Sequence, residues 1–251
     1  MAELISVVVP VYNEDENIKQ CLRGLYEVLE PYEHEIHICY DFEEDTTLTA
    51  IESMAENKPP TLVLTKNDLG KGVAFALQAG FDAAKGDAVV VTMADLSDPP
   101  DRIPYMVEKI RSGADVVSGS RYMKGGSQDG GPALKSFLSR AAGLSLYYVA
   151  GLGTHDATNN FRAYSRRFLD TITVESVSGF EVALELTVKA HLKGFVVDEI
   201  PSHWKDRSAG ESRFQLKKWL PKYLHWYWMA MRSELQDPLK MTNRLASRVF
   251  E

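Results

Sequence analysis

Three stretches rich in carboxylates set out the chemistry open to this chain. Pro10-Val11-Tyr12-Asn13-Glu14, Tyr40-Asp41-Phe42-Glu43-Glu44-Asp45 and Ala94-Asp95-Leu96-Ser97-Asp98-Pro99-Pro100 each follow an apolar run of strand length. Carboxylates and main-chain groups in such places can accept hydrogen bonds from a polar ligand. One or two carboxylates can also hold a hard divalent cation against phosphate oxygens. Basic residues supply the complement. Lys71, between Gly70 and Gly72 where a helical pattern begins, is placed to approach a phosphate, although such a glycine pair also serves simply to start a helix. Lys135 and Ser139 are four residues apart and share one helix face, as do Glu181 and Glu185.

The elements that must position these residues follow from periodicity. Strand-length apolar runs cover 5–9, 36–39, 62–64 and 88–93, with Val116-Val117 next, and helical patterns cover 16–29, 47–55, 72–84 and 102–110 between them. This alternation predicts right-handed βαβ crossovers, hence an α/β fold with a mostly parallel central sheet and helices on both faces. Ligands bind such sheets outside the carboxyl ends of the strands, which is where the three acidic stretches fall. The second half is punctuated by Gly125-Gly126, Gly130-Gly131-Pro132 and Gly151-Leu152-Gly153 around a predicted helix at 133–149. A further helix is predicted over 180–192, and a strand over 195–200 that Pro201 stops.

Bulk properties narrow the function. With 251 residues, 45% of them apolar, the chain can bury a real core, and its net charge of −7 argues against nucleic acid as a partner. Cys21 and Cys39 sit in apolar patterns, so two buried thiols in a reducing, cytoplasmic compartment are expected rather than a disulfide. The first residues carry no basic leader, and no run reaches the roughly 18 apolar residues of a membrane span. Membrane contact is therefore expected to be peripheral, or through a membrane-anchored partner.

The motifs Val-Pro-Val-Tyr-Asn-Glu (9 to 14), Ala-Asp-Leu-Ser-Asp-Pro-Pro (94 to 100), Gly-Ser-Arg-Tyr (119 to 122) with Gly125-Gly126, the stretch from Asp156 to Tyr164, and Arg207-Ser-Ala-Gly-Glu-Ser-Arg213 follow one another in order. Together, over about residues 4–215, the chain resembles family 2 glycosyltransferases of the GT-A fold, in the branch of dolichol-phosphate mannose or glucose synthases. The resemblance implies that Pro10, Tyr12, Glu14, Asp41 and Ala94 cup the donor nucleotide. It makes Asp95 the second acid of the Asp-x-Asp motif, holding Mg²⁺ or Mn²⁺ against the diphosphate. Arg207 and Arg213 match the basic pair of a loop that closes over the donor, where a guanidinium fork suits phosphate. Arg121, Lys135 and Ser139 fall where acceptor phosphate is recognised, and Glu185 or Glu181 where acceptor or sugar is oriented.

Departures from the family pattern are local. Met93 replaces the first acid of Asp-x-Asp, and Tyr40-Asp41 replaces an Asp-Asp pair. Asp98, Glu43, Glu44 and Asp45 are the nearby carboxylates that could compensate, though none has the family spacing. Asn160 stands in place of a glycine, and Lys135 in place of a common arginine.

The resemblance implies inverting transfer of a hexose from GDP-mannose or UDP-glucose to a polyprenyl or dolichyl phosphate. An anionic phosphate oxygen needs positioning and charge stabilisation rather than a base. Transfer to a glycan hydroxyl in cell-envelope polysaccharide synthesis would need one, and Glu181 or Asp156 would be the candidate. A third reading is a catalytically silent nucleotide-sugar-binding subunit. Residues 1–213 are expected to form the catalytic domain and 214–251 an extension. In that extension Trp219, Tyr223 and Trp226 share a helical face opposite Lys218, Lys222, His225 and Arg232. Such a face suits a lipid headgroup layer, and equally suits packing on the domain or against a second copy in a homo-oligomer.

Overall fold

The computed structural model describes residues 4–54, 58–177, 179–207 and 216–235, and within the last stretch the side chains of 220–233. Strand β1 (Ile5–Pro10) is buried at every residue, as expected of a central strand covered on both faces. Helix α1 (Ile18–Leu29) buries Ile18, Cys21, Leu22, Leu25 and Leu29, the spacing of one helical stripe. Next come β2 (His34–Tyr40), α2 (Thr46–Glu52), β3 (Leu62–Lys66), α3 (Val73–Ala83), β4 (Ala88–Val91), α4 (Ile103–Arg111) and β5 (Val116–Ser120). Asp45 caps α2 by accepting the Thr47 N–H, which ends β2's connection cleanly.

The second half holds β6 (Ser127–Asp129), α5 (Ala133–Ser145), β7 (Arg162–Ser165), α6 (Arg166–Leu169), α7 (Val182–Leu192), β8 (Val197–Pro201), β9 (His203–Lys205) and α8 (Leu216–Leu235). The helix predicted over 133–149 runs α-helically only to Ser145. It continues as a π turn over Leu146–Ala150, which left-handed Gly151 terminates at φ 75°.

Seven strands form one sheet in the order β3-β2-β1-β4-β7-β5-β8. All are parallel except β7, which runs antiparallel between β4 and β5. The mostly parallel α/β expectation holds, while β7 escaped the sequence pattern because Arg-Ala-Tyr-Ser has no β-branched run. Short β6 and β9 pair as a separate two-stranded ribbon.

Apolar residues from α1, α2 and α4 cover one sheet face, and those from α3, α6 and α7 the other. On the second face α3 approaches very closely. A Cβ on Gly80 would lie 2.3 Å from Val8 Cγ1 and 2.8 Å from Cys39 Sγ, so only glycine fits there. Cys21 and Cys39 are both buried free thiols, as expected, and burial pushes each up to about 12.

Helix α8 packs against α7 and the π turn, burying Trp226 and Ala230 in a third cluster with Leu146, Leu184 and Val188. The face carrying Trp226 is therefore a packing face and not a lipid-facing one. What α8 exposes instead is Leu220, Leu224 and Trp228, spaced every four residues. Among the described residues no helix is long and apolar enough to cross a membrane.

Candidate active site

The carboxyl ends of β1, β2 and β4 open into one cavity of about 920 Å³. Where β1 and β2 end, Tyr12, 44% exposed, packs edge-on against Phe42 with ring centroids 5.3 Å apart. Asp41 Oδ1 accepts from Asn67 Nδ2 at 2.7 Å and Oδ2 from the Gly72 N–H at 2.8 Å. That second bond depends on Gly72 at φ 117°, a conformation that residues with a Cβ rarely adopt. The start of α3 thus fixes the Asp41 carboxylate.

Asp95 sits on the loop after β4, and each of its oxygens has a partner. Ser97 donates to Oδ1 through its N–H at 3.1 Å and its hydroxyl at 2.6 Å, and Arg207 Nη2 donates to Oδ2 at 3.1 Å. Lys205 N–H bonds to Ser97 O at 3.1 Å, so β9 lies on the same loop and delivers Arg207 to it. Asp98 lies beside them, its carboxyl pushed up to about 7 by burial and by the charge of Asp95, against the lowering effect of Arg121.

Deeper in the cavity, Arg121 forks onto buried Asp156, Nε to Oδ2 at 2.6 Å and Nη2 to Oδ1 at 2.9 Å. Its Nη2 also reaches Ser139 Oγ at 3.1 Å and Thr158 Oγ1 at 3.2 Å. Burial alone would lower the guanidinium, but Asp156 reverses this and holds it above the usual arginine range. Burial likewise would raise Asp156, and the charge and hydrogen bonds of Arg121 hold it below the usual carboxylate range. Lys135 is lowered, first by burial and then by Arg121 and Arg207. Three cations therefore converge where α5 meets the strand tips, an arrangement that favours a multiply charged anion.

Leu138 and Ala142 of α5 and Leu220 and Leu224 of α8 line the same cavity. The cavity thus joins polar, charged lining from the strand tips to apolar lining from α5 and α8.

Of the residues expected in the site, Pro10, Tyr12, Glu14, Asp41, Asp95, Arg121, Lys135, Ser139 and Arg207 line this single cavity. Five expected residues do not fit it. Ala94 is buried in the core beneath the loop and not on the lining, and the Lys71 side chain is exposed outside it, leaving neighbouring Gly72 to do the work. Glu185 is fully buried elsewhere, accepting the Glu175 and Ser176 N–H groups at 2.6 and 2.8 Å and Lys189 Nζ at 2.6 Å. It fixes the segment before α7 and faces no ligand. Asp156, a candidate base, is held ionised by Arg121 and so is a poor proton acceptor. Glu181, the other, is buried and raised by that burial, 4.0 Å from Lys222 and off the cavity lining. Arg213 lies outside the described residues.

Sequence reasoning missed Trp204, Asp206 and Gln128, which the ribbon of β6 and β9 brings to the cavity. Trp204 lies over the Arg121 guanidinium at 6.0 Å. The one available signal was the adjacency of Asp206 to Arg207.

The sequence profile of glycosyl transferase family 2 matches residues 6–173, the span that holds six of the sheet's seven strands, all but β8, and Asp95, Arg121 and Lys135. The chain belongs to glycosyl transferase family 2. Among its relatives, a dolichol-phosphate mannosyltransferase of Pyrococcus furiosus is 28% identical over 92% of this chain. This chain spans 64% of the length of that relative. A polyprenol monophosphomannose synthase of Mycolicibacterium smegmatis is 31% identical over 82% of this chain and 79% of its own length. In fold, this family member superposes on Mycobacterium tuberculosis glucosyl-3-phosphoglycerate synthase in complex with Mn²⁺, UDP-glucose and phosphoglyceric acid. The TM-score is 0.69 at 17% identity, over 91% of this chain and 80% of the other. The architecture is thus the GT-A type expected from the sequence.

Proposed function

We propose that this family 2 glycosyltransferase moves a hexose from a nucleotide sugar to a polyprenyl phosphate with inversion at the anomeric carbon. The observation that carries the reading is the continuity of one cavity from nucleotide-facing strand tips, through Arg121, Lys135 and Arg207, to an apolar end between α5 and α8. A soluble acceptor gives no reason for that last section. The names of the P. furiosus and M. smegmatis relatives support the same acceptor class.

In this reading a phosphate oxygen of the acceptor forms the new bond to the anomeric carbon. The nucleoside diphosphate departs with the electrons of the bond that breaks. Arg121, Lys135 and Ser139 hold the acceptor phosphate, while Tyr12, Glu14, Asp41 and Arg207 hold the donor. A divalent cation bound at Asp95 would neutralise diphosphate charge. GDP-mannose and UDP-glucose are the donors to test. The catalytic unit spans 1–213, and α8 of the 214–251 extension completes the lipid end of the cavity.

Incubating purified protein with radiolabelled GDP-mannose or UDP-glucose and short polyprenyl phosphate will yield labelled lipid, and Asp95→Ala will abolish it. Label transferred only to oligosaccharide would favour a glycan acceptor. Absence of turnover with every donor, despite nucleotide binding, would make the chain a silent binding subunit.

Exposed Leu134, Phe137 and Leu138 on α5 and Leu220, Leu224 and Trp228 on α8 flank the apolar end. Burying each large side chain in lipid contributes about 1.5–3 kcal/mol, so these two stripes are where the protein would rest on a membrane. Phe137→Glu with Trp228→Glu is expected to cut flotation with anionic vesicles at least about tenfold, since losing 1.4 kcal/mol already does so. Turnover of a detergent-dispersed acceptor should persist.

A further inference from the structure

Met93 occupies the place of an acid, so Asp95 is the sole carboxylate remaining at that motif. Four nearby acids could make up the loss, and the fold separates them. Glu43 is 61% exposed and pairs with Lys66 at 2.8 Å, on the far side of β2's end. Glu44 is exposed and off the cavity lining. Asp45 is tied to the start of α2, its Oδ1 accepting from Asn13 N at 3.0 Å and Thr47 N at 2.9 Å, and although its Oδ2 is also buried without a partner, it is off the cavity lining. Only Asp98 lines the cavity together with Asp95.

Asp98 is 7% exposed, and its Oδ1 is buried with no hydrogen-bond partner. The Met93 N–H and the Asn159 side chain bond to its carboxyl, yet that one oxygen meets no donor. A buried carboxylate oxygen left in this state is costly unless something positive comes to it. The Arg121 guanidinium does not fill the gap, since its Nε and Nη2 bond instead to Asp156, Ser139 and Thr158. Between the two acids Leu96 turns the chain with φ 64°, which brings both carboxylates to one cavity from positions three apart. Among the described residues no group of three or more His, Cys, Asp or Glu could hold a metal unaided. A pair of carboxylates needs no third, because a hard cation fills its remaining positions with phosphate oxygens and water. Asp95 can still contribute, since a carboxylate offers about four lone-pair sites and three donors occupy it.

We propose that Asp98 is the second carboxylate of a divalent-cation site that Asp95 and the diphosphate of a bound nucleotide complete, taking over from the acid absent at Met93. The inference rests on the donor-binding reading above and adds to it a ligand at a new position in the motif.

Mn²⁺ titration followed by electron paramagnetic resonance, in the presence of GDP, UDP or dTDP, tests it without turnover. Asp98→Asn is expected to weaken Mn²⁺ binding at least about tenfold. Asp101→Asn, which removes an exposed acid one turn further on, should leave it unchanged. Fluorescent nucleotide binding without metal reports whether each variant is folded, and Asp98→Ser replaces Asp98→Asn if the latter is not. Equal Mn²⁺ affinity in the Asp98 variant, or a wild type that binds nucleotide but no Mn²⁺, overturns this inference and leaves the donor reading standing. A wild type that binds none of the three nucleotides, with or without Mn²⁺, overturns both.

Discussion

Replacing Asp156 with alanine is expected to destabilise the protein by about 3–5 kcal/mol, the usual cost of leaving a buried charge without its partner. At about 2–4 °C per kcal/mol for a chain of this size, Tm should fall by about 6–20 °C. The carboxylate is fully buried and receives the Arg121 fork together with the Arg121 main-chain N–H at 3.1 Å. Its main-chain carbonyl, which alanine keeps, accepts from Arg162 Nη2. Removing the carboxylate leaves Arg121 in a site that burial already disfavours for the charged form. Removing both partners, as in Arg121→Met with Asp156→Leu, should cost less than Asp156→Ala alone, because no uncompensated ion remains. Urea melts of the three proteins check this. If the double variant is the less stable, the pair's electrostatics are not what the fold depends on. The pH dependence has a defined sign. Asp156 is depressed in the folded state, so its stabilisation is present above the ordinary carboxylate value near 4. It is lost as pH falls through the still lower folded value.

The same residue shows what a sequence can and cannot convey. Asp156 stood out as an acid near the site, but whether it serves as a base or as a counter-ion depends on Arg121, 35 positions away. Local pattern carried β1, β4 and α1 because their apolar periods are long and their burial is simple. It also placed Glu14, Asp41 and Asp95 at strand tips, since strand ends follow from where β-branched runs stop. It could not find β7, whose Arg162 is wholly buried yet reads as a surface residue. Thr187 and two main-chain carbonyls satisfy that side chain, and none of these is visible before the fold exists. Glu185 failed in the opposite way. Its spacing from Glu181 is correct for one helix face, but the two N–H groups of residues 175 and 176 claim it. On α8, amphipathicity was legible and its direction was not. Trp226 is 4% exposed because α7 and the π turn offer it a packing site, leaving Leu220, Leu224 and Trp228 outward.

Lys135→Met is expected to lower kcat/KM for polyprenyl phosphate by about 10²–10³, the range found when one preorganised charge-stabilising donor is removed. Nucleotide binding should change little. Lys135 stands with Arg121 and Arg207 around the cavity, where Arg121 is bonded to Asp156 and Arg207 to Asp95. Its ammonium is lowered by burial and by those neighbouring cations, with Asp206 and Asp95 pulling the other way. An arriving phosphate would relieve that repulsion. Ser139, one turn along α5, presents its hydroxyl to the same point, where Tyr122 and Thr158 bond to it at 2.9 and 2.6 Å. Lys135→Arg should retain most of the activity, because the charge survives and a fork suits phosphate. The sign with pH follows from the lowered ammonium: wild-type activity declines on the alkaline side as Lys135 loses its proton, below the ordinary lysine value of 10.5. In Lys135→Arg that decline should move to higher pH, since a guanidinium keeps its charge. Initial rates against acceptor concentration, from pH 6 to 10, separate the outcomes. Should Lys135→Met weaken GDP and UDP binding as much as it weakens acceptor turnover, the lysine belongs to the donor diphosphate. The polar centre of the cavity would then have to be divided between the two substrates at Arg121.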